Sequence, residues 1–129
     1  MTNDWANGIQ GELLGILVAA GIAPDKAQTN QVLTGIEMLI QRQAGVFAQD
    51  TGAANALVIS PALAVTALIA GHKFTVKVNA ANTGATTLKV NALEPVPIKT
   101  ITGAALSAGA LPAGGIVQFC YDGTNFQVI

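Results

Sequence analysis

Seven carboxylates are available for acid–base work in this chain: Asp4, Glu12, Asp25, Glu37, Asp50, Glu94 and Asp122. Catalysis needs polar groups brought together with tuned proton affinities, and no two of these lie close in sequence. Folding could join a pair such as Glu94 and Asp122, but no spacing requires it. His72 is the only histidine, after Gly71 and before Lys73. With no further ligands clustered around it, it reads as a solvated loop-edge residue rather than a metal ligand. Cys120 is also single. A couple with His72 would need a third, orienting group, and no motif supplies one. Among Gln118, Phe119 and Tyr121 this cysteine reads as a small buried apolar residue. The stretch LPAGGIVQF has the glycines of a phosphate cradle but runs into a strand, whereas such loops open a helix. No catalytic residue, metal or cofactor is expected, and the chain reads as a non-enzyme.

Recognition is the other chemistry to consider. Sugar sites present exposed aromatics beside Asn, Asp or Gln, and Tyr121, Asp122, Asn125 and Gln127 come nearest to that pattern. The same four residues also suit a turn with a core tyrosine beside it. Trp5 falls in the polar stretch MTNDWANG. It reads either as a hydrophobic staple against the first helix or as an anchor docking into another protein.

The elements that must position these residues have an unusual composition. Only 10% of the 129 residues are charged, against about 25% in an average soluble domain. Hydrophobic residues make up 51%, and mean hydropathy is +0.52. A small chain has much surface for its volume, so its cover must come from Thr, Asn, Gln, Gly and Ala or from other subunits. Extensive subunit contact is the expectation. A net charge of −1 argues against nucleic acid, which calls for a basic patch. The acids concentrate in residues 1–50, with Asp4, Glu12, Asp25, Glu37 and Asp50 against Lys26 and Arg42. Residues 51–129 lean basic, through Lys73, Lys77, Lys89 and Lys99. The apolar run LLGILVAAGIA is too short for a bilayer span and has no basic start. No membrane partner is expected, and synthesis and folding in the cytosol are.

The period of the apolar residues divides the chain into 1–45 and 46–129. In the first part, Ile9 to Val18 give a short helix interrupted by Gly21 and Pro24. Pro24-Asp25 then suits a helix start, with Gln28 in a capping-box relation to Asp25. Val32, Leu33, Ile36, Leu39 and Ile40 make one continuous helical stripe, with Gly45 as the cap that ends it. After Gly45 the period becomes two. Strands are expected over 46–50, 55–59, 73–79, 87–91, 116–121 and 125–129, with EPVPIK as an edge strand at best because of its prolines. The third and fourth strands are expected to form a hairpin across Asn82-Thr83-Gly84, and the last two a hairpin at Asp122-Gly123 with Val117, Phe119 and Tyr121 on its apolar face. TGAALSAGALPAGG reads as a connecting loop. The tripeptide Thr-Gly-Ala at 51–53, 83–85 and 102–104 reads as turn chemistry, its glycine supplying positive φ.

Two blocks, NAANTGATTLKVNALEPVPIK and LSAGALPAGGIVQFCYDGTNFQVI, resemble a region of the tail-fibre proteins of tailed bacteriophages and prophages. There, an Asn-Thr-Gly-Ala-(Ser/Thr)-Thr-Leu-x-Val-Asn hairpin leads through Pro-Ile and an Ala-Gly loop to a Tyr-Asp-Gly-x-x-Phe-Gln ending. NQVLTGIEMLIQRQAGVFAQDTGAANAL resembles the helix and first strand ahead of that block, so the likeness covers roughly residues 27 to 129. Ala92, where many relatives carry Gly, and Glu94-Pro95, in place of small residues, depart from the pattern in one turn. Relatives usually continue into a shaft and receptor-binding tip. Here YDGTNFQVI ends the sequence, and its strand is expected to be a seam meeting another subunit or a following domain.

The resemblance implies a homotrimeric component of the virion tail, with its N-terminal part facing the particle. The expected fold is α+β: short N-terminal helices in 1–45, then a small antiparallel β-rich domain in 46–129, intertwined or packed as a trimer. Val32, Leu33, Ile36, Leu39 and Ile40 would pack around a threefold axis or cover their own sheet. The expected function is a structural tail-fibre or fibre-base module that attaches to the phage tail or neck. The alternative is a small β domain that binds host surface carbohydrate.

Overall fold

The computed structural model describes residues 3–42 and 46–129. The chain divides into two compact units, Met1–Ala44 and Gly45–Ile129. The first is helical and the second β-rich, so the fold is α+β.

The helical unit has two helices, α1 (Asn3–Ala20) and α2 (Gln31–Gln41). The first is longer than the expected Ile9–Val18 and includes Trp5 in its opening turns. Three glycines and a polar start hide this helix from propensity alone, yet Leu17 and Ala20 are buried against α2 and hold its last turns. It ends where φ turns positive at Gly21 (+78°). There Ile22 N–H donates to Leu17 O (2.9 Å) and Gly21 N–H to Val18 O (3.1 Å), the paired bonds of a Schellman motif. Asp25 does not start a helix. Its Oδ1 accepts from Ala27 N–H at 2.9 Å, closing a local turn of the kind Asp favours over helix. Helix α2 begins later, after Asn30. Gln31 ties the connection down, accepting from Asp25 N–H and donating to Ala23 O, both at 2.8 Å. The helix ends at Gln41, and Gly45, the expected cap, lies outside the described residues.

The second unit is one sheet of seven strands: β1 (Phe47–Gln49), β2 (Ala56–Ile59), β3 (Lys73–Lys77), β4 (Thr86–Val90), β5 (Val96–Lys99), β6 (Ile116–Tyr121) and β7 (Phe126–Val128). Their order is β1-β3-β6-β7-β5-β4-β2. The sheet is mixed, not antiparallel as expected: β1 with β3, β2 with β4, and β5 with β7 run parallel. The expected β3–β4 hairpin does not form, since β3 pairs with β6 and β4 with β5. The last hairpin does form, with Tyr121 opposite Phe126.

Strand β5 lies inside the sheet despite its prolines. It meets β7 only through Ile98 and Lys99, so the proline-bearing half has one strand neighbour and behaves locally as an edge. Strand β7 is likewise interior, flanked by β6 and β5. The two outermost strands approach each other at one end. Thr51 N–H donates to Val58 O (2.9 Å), and Val58 N–H to Asp50 Oδ1 (3.0 Å), so the sheet nearly closes as a barrel.

Alternation fills the interior: Leu57 and Ile59, Phe74 and Val76, Leu88 and Val90, Phe119 and Phe126 are all buried. Val117 and Tyr121 pack against this core as expected. Cys120 points to the other face of β6 and is half-buried, not buried, because period two places it opposite Phe119. Of the three Thr-Gly-Ala glycines only Gly103 has positive φ (+84°). Gly52 is needed for space instead, since a Cβ there would lie 2.0 Å from Ala56 O. In the turn that departs from the resemblance, positive φ falls on Asn91 (+50°).

Candidate functional site: an apolar face on the helical hairpin

The helices of the hairpin approach closely because Gly35 has no side chain. A Cβ at Gly35 would lie 3.3 Å from Ile16 Cγ2, 3.5 Å from Ala20 Cβ and 3.6 Å from Leu17 Cδ2. Gly35 is the buried residue of α2, with Val32 and Leu39 half-buried on either side. These three, at spacing three and four, form the seam toward α1. Arg42 closes the pair by donating from Nη2 to Ala19 O.

The remaining residues of the stripe are more exposed than that seam. Leu33 is 59% exposed, Ile36 40% and Ile40 70%. They also fall at spacing three then four, one residue round from the first seam, and Glu37 is the one charged residue within α2. The five-residue stripe is therefore two seams, one filled and one open. Sequence periodicity cannot separate them, because both are apolar; the signal that could have done so is the glycine between them.

On α1, Trp5 (55% exposed), Ile9 and Leu13 form a second apolar row at spacing four. Reading MTNDWANG as a polar leader hid that row. Ile9, Leu13, Leu17, Pro24, Val32 and Leu33 border an open hollow of about 720 Å³ in this unit. Asp25 and Lys26 stand at its rim among otherwise uncharged residues. No helix among the described residues is long and apolar enough to cross a membrane.

The polar candidates behave differently. Tyr121, Asp122, Asn125 and Gln127 do come together at the β6–β7 turn, but they satisfy one another and the backbone. Asp122 Oδ1 accepts from Thr124 N–H (2.8 Å) and Asn125 N–H (2.7 Å), and its Oδ2 from Gln127 Nε2 (3.0 Å). Tyr121 Oη donates to Gly123 O at 2.9 Å. The backbone N–H of Asn125, then that of Thr124, hold the Asp122 carboxyl below its ordinary value, with Gln127 adding to them.

His72 is half-buried rather than solvated, its Nδ1 accepting from Ile69 N–H at 3.3 Å. Among the described residues no three His, Cys, Asp or Glu side chains converge as a metal site would need.

Asp50 and Asn82 are buried, which neither the carboxylate inventory nor the turn at Asn82-Thr83-Gly84 anticipates. Asp50 accepts from the N–H groups of Gly52 (2.7 Å), Val58 (3.0 Å) and Asn79 (3.0 Å). Asn82 donates from Nδ2 to Gly84 O (2.9 Å) and Ser107 O (2.8 Å), while its Oδ1 accepts from Leu111 N–H (2.8 Å). Both organise backbone rather than present a reactive group. No protein-family model matches this chain, and no curated protein matches it either.

Proposed function

We propose that this chain is a structural module of a bacteriophage tail fibre or fibre base, built as a homotrimer in the virion tail. The observation that carries this reading is the open seam of Leu33, Ile36 and Ile40 on α2. Three large aliphatic residues on one helix face, in a chain with so few charges, favour a protein partner over water. Their spacing puts Leu33 and Ile40 at heptad a positions and Ile36 at d. Leucine or isoleucine at a with isoleucine at d favours three or four strands over two. The resemblance of the Asn-Thr-Gly-Ala and Tyr-Asp-Gly blocks to tail-fibre proteins points the same way.

The mechanism is geometric. Helical hairpins from three copies bury their open seams around the axis. Trp5, Ile9 and Leu13 remain to anchor the assembly on a tail or neck protein, Trp being the side chain such anchors favour.

Replacing Ile36 with Asp tests this directly, because Ile36 is too exposed to be needed inside the hairpin. Sizing with light scattering should give a folded monomer where the unmodified chain gives a trimer. An Ile36→Asp protein that still runs as a trimer would remove the seam from the account.

A further inference from the structure

We propose that His72 is a proton-operated latch on the apolar segment that precedes β3. From Ser60 to Gly71 the chain has no titratable side chain, and Leu63 and Ile69 stand exposed on it. Val65 and Leu68 pack the segment against the core, and backbone N–H groups tie it down at two places. Val65 N–H donates to Asn91 Oδ1 at 2.8 Å, and Gly71 N–H to Tyr121 O at 2.8 Å. Its last turn closes on His72 twice: His72 N–H donates to Ile69 O (3.0 Å), and Ile69 N–H to His72 Nδ1 (3.3 Å). The ring also packs edge-on against Phe74, with centroids 6.2 Å apart. Together they border a hollow of about 550 Å³ that Val46, Leu63 and Val65 line as well.

The bond from Ile69 needs a lone pair on Nδ1. A protonated imidazole carries N–H at both nitrogens, so Nδ1 would then face the Ile69 donor with a donor of its own. The new charge would sit beside Phe74 at the edge of the hollow. The surroundings do not offset it. Lys73 on β3 lines the same hollow and repels it. Cys120 lies opposite Lys73 on β6 and carries no compensating charge. The Tyr121 hydroxyl is committed to Gly123 O, and the Asp122 carboxylate to Thr124, Asn125 and Gln127. Strand β1 has no ionisable residue. Proton uptake therefore breaks the side-chain half of the turn and frees the ring. The segment from Ala64 to Gly71 loosens and the hollow widens once the ring takes up a proton.

Amide-resolved NMR of the full chain, recorded from about pH 8 to about pH 5, tests the latch. The Ile69 amide should shift in step with the His72 ring resonances. Exchange of the amides from Ala64 to Gly71, corrected for its intrinsic pH dependence, should be severalfold faster at low pH. A fluorescent apolar dye should bind more strongly there. In His72→Phe, which keeps a ring against Phe74, all three responses should vanish. An Ile69 amide that ignores the titration of the ring overturns the proposal without needing any variant. So does a His72→Phe protein that keeps the response.

Discussion

Asn82 shows how much a single polar side chain does in this molecule. Its amide spans three backbone groups, two accepting and one donating, and its own backbone bonds to Leu111 and Gly109. It ties down Ser107, Gly109 and Leu111 in the middle of the irregular stretch from Ile101 to Gly115, where Leu106 and Leu111 enter the core. Truncating it to alanine leaves buried groups without partners, and Asn82→Ala should lower unfolding stability by about 2–4 kcal/mol in a urea titration. Asp122 works through a turn at the surface instead. Its carboxyl is held below its ordinary value, by Asn125 and Thr124 N–H first. A depressed folded value contributes stability that is present above the ordinary aspartate range and lost as pH falls through the lowered value. The β6–β7 turn should therefore loosen only in acid. The Thr124 and Asn125 amides should report it, and Asp122→Asn should remove the pH dependence.

At the scale of elements, the helices and strands that period alone can specify are present, and the connections between them are where sequence reading stops. The β6–β7 hairpin is legible because Asp122-Gly123 and the flanking alternation say the same thing. The β3–β4 hairpin was a fair expectation from Asn82-Thr83-Gly84, but Asn82 is a buried hub rather than turn filler. The chain leaving it carries β4 to β2 and β5, and no local rule encodes such distant partners. Parallel pairs are hidden for the same reason, since each joins strands separated by long connections. In Thr51-Gly52-Ala53 the expectation for the glycine is positive φ, yet its role is close approach. It sits where the outer strands meet, so Gly52→Ala pushes a methyl into Ala56 O. A loss of about 2–4 kcal/mol in thermal or urea unfolding is expected. No loss, or the small gain that Gly→Ala gives where the backbone accepts it, would mean the approach is slack.

For the whole molecule, the scarcity of charge and the open seam on α2 are two views of one property. The β-rich unit satisfies its own edges by bringing β1 and β2 together, and every buried side-chain polar atom among the described residues has a partner. Its buried polar groups are met within one chain, while Leu63, Ile69, Ile101 and Ile116 stand exposed on it. The helical unit differs in grouping its exposed apolar residues by regular spacing: Leu33, Ile36 and Ile40 along α2, Trp5, Ile9 and Leu13 along α1. That contrast was half legible. The stripe was visible in the sequence, but its division between an inner and an outer seam depends on Gly35 and on how close it lets α1 come. The account therefore rests on the outer seam being shared among copies. Native mass measurement of the unmodified chain at high dilution tests it most directly. A mass three times the 13.0 kDa of one chain is predicted; a stable, folded species at 13.0 kDa would contradict it.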